Sequence, residues 1–202
     1  MIFFVRHAEL EKPFSDYEKV GLDTLDALAT ARIDPRINKK VALKKVKELK
    51  MDHLGKIPFK TIYHSSSTRA RETAEMLASE LSVPDVRPLE CLDEITFSPK
   101  KLISKQQFEE QGMGILRESV FNQISEGKNI ESNKKIRQRL TELKKLCDNS
   151  QDDNILFVTH GFYMRLIQIF FKDSMVKFSV ANQQQAINYN NLMGFSLDKR
   201  SK

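Results

Sequence analysis

A chain of 202 residues is long enough for one domain with a sizeable core, and its 40% hydrophobic and 30% charged residues exclude a disordered composition. The formal charge of +6 and isoelectric point near 9.2 favour anionic partners, without choosing among phosphorylated metabolites, nucleic acid and lipid. Two distant cysteines, Cys91 and Cys147, are too few for a disulfide framework and point to a reducing compartment.

Residues 1–7 read as a strand buried on both faces. Ile2-Phe3-Phe4-Val5 is continuously apolar, as in a parallel sheet flanked by helices, and ends abruptly in Arg6-His7. The run is too short for the apolar core of a secretory signal, and no stretch approaches the roughly 18 apolar residues of a membrane span, so a cytoplasmic protein without membrane contact is expected. Pro13, Gly21 and Pro35 punctuate residues 9–37, where Leu22, Leu25, Leu28 and Ala29 are spaced for a short helix. Asp34 to Asn38 predicts a turn with Asn38 as an N-cap. An amphipathic helix then covers 39–53, with Ala42, Val46 and Leu49 inward, its lysines in solvent and His53 at the surface. Gly55 and Pro58 end it, and Thr61 to His64 reads as the second strand, with His64 pointing to the face away from the rim described below.

Hydroxyl residues Ser65 to Thr68 precede a helix with Ala70, Ala74, Leu77, Ala78 and Leu81 on one side. Such residues are natural N-caps, and a helix start here would offer free backbone N–H groups and a positive dipole end to an anion. Val83 to Leu89 predicts a strand interrupted by prolines. Residues 95–130 have weak periodicity and several glycines; they read as short helices and loops forming a lid or insert within a single domain spanning 1–202. A helix over 132–148 carries Ile136, Leu140, Leu143 and Cys147 on one face. Ile155 to Thr159 is a second continuously apolar strand, again delivering a histidine, His160-Gly161. A helix from about 162 turns Leu166, Ile169 and Phe170 inward, Met193 to Leu197 can close the sheet, and the tail 198–202 is expected to fray.

Alternating strands and helices predict an α/β fold, three layers α/β/α around a largely parallel sheet. Ligands of such sheets bind outside the carboxyl ends of the strands. That rule gathers Arg6-His7, Ser65 to Arg69 and His160-Gly161 on one rim. Two arginines, two histidines, a helix start and a glycine suit a phosphoryl group, which arginine grips bidentately. Each donor aimed at transition-state charge is worth about 3 kcal/mol. A histidine among such cations is held neutral, as a nucleophile must be. The leaving oxygen needs a proton, and the nearby carboxylates are Glu90, Asp93 and Glu94.

These motifs resemble the histidine phosphatase superfamily, in its phosphoglycerate-mutase-like branch. The match runs through Arg6-His7-Ala8, then Ser65 with Arg69-Ala70-Arg71-Glu72-Thr73-Ala74, then Leu92-Asp93-Glu94, then Thr159-His160-Gly161 with Arg165. The resemblance implies His7 as the nucleophile that becomes phosphohistidine. It implies Arg6, Arg69, His160, Gly161 and Ser65 around the phosphate, although Ser65 could equally cap the helix. Glu94 is implied as proton donor and then as base for the attacking water, and Arg165 reads as a supporting residue. No metal or other cofactor is implied; the partner would be a phosphorylated substrate or inorganic phosphate. Three departures stand out. Ala8 replaces the usual glycine, Pro13 replaces an asparagine common six residues past the nucleophile, and Ile37-Asn38-Lys39-Lys40-Val41 replaces Leu-Thr-x-x-Gly.

The expected activity is hydrolysis of a phosphomonoester, on a small metabolite or a phosphoprotein. The alternatives are a phosphoglycerate-type mutase and a catalytically weak phosphate-binding or regulatory protein. A nucleic-acid role rests on charge alone, without an RNP, zinc or helix-turn-helix signature. Lys100, Lys101 and Lys105 could steer an anion but read more simply as solvated. Oligomeric state is not legible.

Overall fold

The computed structural model describes residues 1–16, 19–52, 54–126, 128–150, 153–173 and 190–197; His53 and the tail 198–202 lie outside these. Its elements run β1 (Ile2–Arg6), α1 (Leu22–Ala29), α2 (Lys39–Asp52), β2 (Thr61–His64), α3 (Thr68–Leu81), β3 (Asp85–Pro88), α4 (Pro99–Leu102), α5 (Lys105–Glu126), α6 (Asn133–Asn149), β4 (Ile155–Thr159), α7 (Gly161–Lys172) and β5 (Gly194–Leu197). The sheet order is β3-β2-β4-β1-β5, parallel except for β5, which runs antiparallel to β1.

The two continuously apolar strands, β1 and β4, are neighbours near the centre, as their composition requires: both faces are covered by helices. One face buries Ile2, Phe4, Ile155 and Phe157 against helices α1, α5, α6 and α7. The other buries Val5, Ile62, Leu156 and Val158 under α2 and α3. The three-layer α/β/α expectation therefore holds. The register sets Tyr63, Phe157, Phe4 and Phe195 side by side, and their rings stack at centroid spacings of 5.6, 4.8 and 5.1 Å. Such cross-strand aromatic pairs lock the register.

The segment 95–130 is better organised than its weak periodicity predicted. Helix α5 extends over 22 residues with a break at Gly112, whose φ of 59° lies in the left-handed region that glycine tolerates. Beyond the break, Leu116, Val120, Phe121 and Ile124 are buried in the main core. The half before Gly112 carries Phe108 inward and otherwise faces solvent. A mixed segment of this kind gives no clean helical stripe. Cys91 and Cys147 are buried free thiols, and burial pushes them up to about 11 and about 12. No helix among the described residues is long and apolar enough to cross a membrane.

Candidate active site

Three adjacent parallel strands end on one rim. Ladder bonds continue one residue past them, from His7 N–H to the Thr159 carbonyl (2.9 Å) and from Ser65 N–H to the Val158 carbonyl (3.0 Å). Register alone thus brings Ser65, His160 and His7 side by side, the two imidazoles 5.3 Å apart between centroids. They open on a cavity of about 790 Å³ also lined by Arg6, Arg69, Glu94 and Gly161, so every site residue expected from sequence reaches one place.

His7 is buried, and its Nδ1 lies 2.8 Å from the Ala8 carbonyl. A carbonyl only accepts, so Nδ1 carries the proton and Nε2 keeps its lone pair. Burial first, then the charges of Arg6 and Arg69, hold His7 well below its usual 6.5. Ala8 is fully buried and needs no positive φ, so its methyl is accommodated where relatives use glycine. Its N–H donates to Thr73 Oγ1 (2.9 Å), whose own proton goes to the Arg69 carbonyl (2.7 Å). The threonine of the second motif therefore ties the residue after His7 to the turn that carries Arg69.

His160 is held from the other side. The Ser65 hydroxyl has one proton, and the Asp93 carboxylate 2.9 Å away can only accept it. Ser65 Oγ therefore receives the Nε2–H of His160 at 2.7 Å. Burial, then Arg69 and His7, keep His160 well below 6.5. This revises the role expected for Ser65. Its hydroxyl bonds Asp93 and His160, which suits it to orient the imidazole, and it does not cap the helix. The helix cap is Ser67, whose side chain accepts from Ala70 N–H at 3.4 Å.

The start of α3 differs from expectation as well. Its first N–H is not open to an external anion: Thr68 N–H donates to Asp34 Oδ2 at 2.7 Å, while Asp34 Oδ1 pairs with Arg69 Nη1 at 3.1 Å. Asp34 is placed by a pinned loop. Buried Glu72 accepts from Arg36 Nε (2.6 Å) and Ile37 N–H (3.0 Å), and Asn38 caps α2 as predicted, accepting from Val41 N–H at 3.3 Å.

The three candidate acids sit differently. Asp93 lines the cavity, and its Oδ1 accepts from Ser65 Oγ and, at 2.6 Å, from Ser66 N–H, whereas Glu90 does not line it. Glu94 reaches the mouth of α7. Its Oε1 accepts Tyr163 N–H (2.8 Å) and Ile95 N–H (3.2 Å), and its Oε2 accepts only Phe162 N–H (3.2 Å), leaving that oxygen room for a proton. Burial raises its pKa above the usual 4.5 despite those three donors and Arg69. The backbone on either side of Glu94 is gripped by a buried pair. Arg139 on α6 donates to the Asp93 carbonyl and, at 2.6 Å, to Glu131 Oε2, which also accepts Thr96 N–H at 3.4 Å.

Of the remaining residues, Arg165 is buried and lines the cavity, and Arg6 packs on Gly161, where a Cβ would make ordinary contact 3.4 Å from its Nε. His64 is buried, bonded through Nδ1 to the Ser65 carbonyl (2.8 Å), and does not face the cavity; neither does Pro13. Lys100 pairs with Asp23 and Lys105 with Glu109, which favours their solvated reading. Sequence reasoning missed Asp34, Glu72 and Arg139. Asp34 read as a turn residue before proline, and Arg139 falls between the apolar positions of its helix; neither carries a local mark of its long-range partner.

Comparison with known proteins follows the same lines. The family model for the histidine phosphatase superfamily (branch 1) matches residues 2–186. No curated protein matches the sequence. Among solved structures, Bacillus stearothermophilus YhfR is similar at 20% identity and a TM-score of 0.62, covering 98% of this chain and 91% of its own. A mycobacterial glucosyl-3-phosphoglycerate phosphatase complexed with VO3 is similar at 18% identity and 0.62, covering 96% and 88%. Phosphoglycerate mutase from Bacillus anthracis is similar at 17% identity and 0.58, covering 96% and 86%. At these identities the likeness is one of fold, shared by phosphatases and a mutase alike.

Proposed function

The chain belongs to the histidine phosphatase superfamily, branch 1, and from that premise we propose that it hydrolyses a phosphomonoester through a phosphohistidine on His7. The observation that carries this reading is the fixed tautomer of His7: Nδ1 is committed to the Ala8 carbonyl, so a neutral Nε2 is available to attack. Arg6 and Arg69 would meet the equatorial oxygens, with His160 beside them. In the first step the Nε2–P bond forms as the P–O bond to the leaving group breaks, and the proton on Glu94 goes to that oxygen. In the second, Glu94 takes a proton from water as the water oxygen displaces His7 from phosphorus, regenerating both groups. The charge on the transferring phosphoryl is met by arginine, so the reaction needs no added metal ion.

The test is release of phosphate from 4-nitrophenyl phosphate with excess EDTA, together with quenching in alkaline detergent to trap the acid-labile phosphoenzyme. Wild type should turn over and form it; His7→Ala should do neither. Turnover that persists in His7→Ala removes His7 as nucleophile. Interconversion of phosphoglycerates without phosphate release would favour a mutase instead.

A further inference from the structure

A phosphoryl group would fill only a small part of the cavity. Its volume of about 790 Å³ is in the range that holds a whole small molecule. Beyond the strand-end floor, the wall changes character. Phe162 follows Gly161 and gives its N–H to Glu94, so an aromatic residue adjoins the proposed acid. Phe97 packs edge-on against that ring, with centroids 5.3 Å apart and planes at 73°. Leu25 and Leu28 from α1 and Met113 and Leu116 from α5 continue the surface. Buried Asp26 fixes this wall by accepting from Ser98 Oγ (2.5 Å) and Lys100 N–H (3.3 Å), which joins α1 to the start of α4. Thr30, Thr96 and Arg117 interrupt this surface, and half-buried Ser15, Asp16 and Lys45 also line the cavity.

We infer that this wall is a leaving-group chamber, and that the substrate is the phosphate monoester of an apolar alcohol or phenol. The inference rests on the phosphatase reading for the chemistry but not for the binding. Along this wall a sugar or glycerate would find Thr30, Thr96 and Arg117 as partners but would lay its other hydroxyls against leucine, methionine and phenylalanine, which cannot return the hydrogen bonds lost from water. An alkyl or aryl group gains from the same surface in proportion to the area it buries. Arg117, next to Leu116, also lines the cavity and gives a carboxylate-bearing leaving group its best rival claim.

Alkylphosphonates test this without turnover, because their carbon–phosphorus bond is not hydrolysed. Titration calorimetry of the full chain with methyl- through hexylphosphonate should show Kd falling about three- to fourfold per methylene. Met113→Glu and Ile33→Glu, both half-buried positions on the cavity wall, should flatten that slope. In parallel, kcat/KM should favour 1-naphthyl phosphate over 3-phosphoglycerate by at least about tenfold, a difference worth two or fewer buried methylenes. A flat phosphonate series, or a preference for 3-phosphoglycerate that Arg117→Ala abolishes, overturns the chamber while leaving the phosphatase reading intact. A steep phosphonate series with no phosphate released from any ester supports the chamber and sinks the phosphatase reading.

Discussion

Two helix mouths open on the site, and each holds a carboxylate of the protein itself. At α7 it is Glu94, buried and bonded to the N–H groups of Phe162 and Tyr163. At α3 it is Asp34, with 38% of its side chain exposed, bonded to Thr68 N–H and paired with Arg69. Both positions favour a negative charge through the helix dipole. Burial decides the difference. Glu94 is bonded to backbone N–H groups, and desolvation pushes its pKa up, toward the neutral, proton-carrying form. Asp34 shares a bond with a guanidinium and keeps contact with water. On the proposed mechanism, the same local motif would serve a proton donor at one helix and a clasp on Arg69 at the other, and the loss of water around Glu94 is what would make the difference.

The largest effect that can break this contrast comes from Glu94→Gln. For alkyl phosphates, whose leaving oxygen needs a proton, kcat/KM, which reports the phosphorylation step and not the later attack of water, should fall by about 10²- to 10⁴-fold. For 4-nitrophenyl phosphate, whose leaving group departs unaided, the loss should stay within about tenfold. The pH profile of kcat/KM carries the same information. His7 must be neutral, and its pKa is lowered, so the rising limb lies below pH 6.5. Glu94 must be protonated, and its pKa is raised, so the falling limb lies above pH 4.5 and disappears in Glu94→Gln. The substrate's own second ionisation near pH 6 falls in the same window, so comparison of the variant with wild type makes the assignment. Equal losses on both esters would remove Glu94 as the acid.

A smaller effect tests how Glu94 is held. Arg139 and Glu131 grip the backbone at Asp93 and Thr96, on either side of it, and their side chains are only 12% and 3% exposed. Arg139→Met should cost about 3 kcal/mol in urea denaturation, because it leaves Glu131 buried without its partner. Adding Glu131→Gln should recover part of that. Loss of activity in Arg139→Met should again be greater for alkyl than for nitrophenyl esters, by about tenfold. A merely structural role would lower both alike.

The two mouths also differ in how far the sequence disclosed them. Glu94 follows a leucine and an aspartate at a strand-like segment, and together with the strand-end histidines the motif made it nameable. The core was equally legible: Ile2 to Val5 and Ile155 to Val158 read as doubly buried strands because continuous apolar runs have few other uses, and they form the central parallel pair. What stayed hidden depends on contacts across long stretches of chain. The Asp34–Thr68 bond spans 34 residues and that from Arg139 to the Asp93 carbonyl spans 46. The bonds of Ser65 stayed open for the same reason. Its hydroxyl could cap a helix or meet phosphate, and only the positions of Asp93 and His160 show that its proton is already committed.

Asp34 supplies the smallest effect and the sharpest sign. If it is a clasp, its negative charge stands beside the place where phosphate must bind and competes for Arg69. Asp34→Ala should then lower the inhibition constant for inorganic phosphate by about two- to fivefold at low ionic strength, and the gain should shrink in 1 M salt, where the screening length falls to about 3 Å. The same substitution strips Thr68 N–H of its acceptor and should cost about 1 kcal/mol of stability, the usual price of an unsatisfied helix start. Tighter phosphate binding in a less stable protein is an unusual pair of outcomes, and competition for Arg69 yields both. Weaker phosphate binding would mean that Asp34 instead holds Arg69 in its binding pose. The charge at the α3 mouth would then aid the site in much the way that Arg139 aids Glu94 at the mouth of α7.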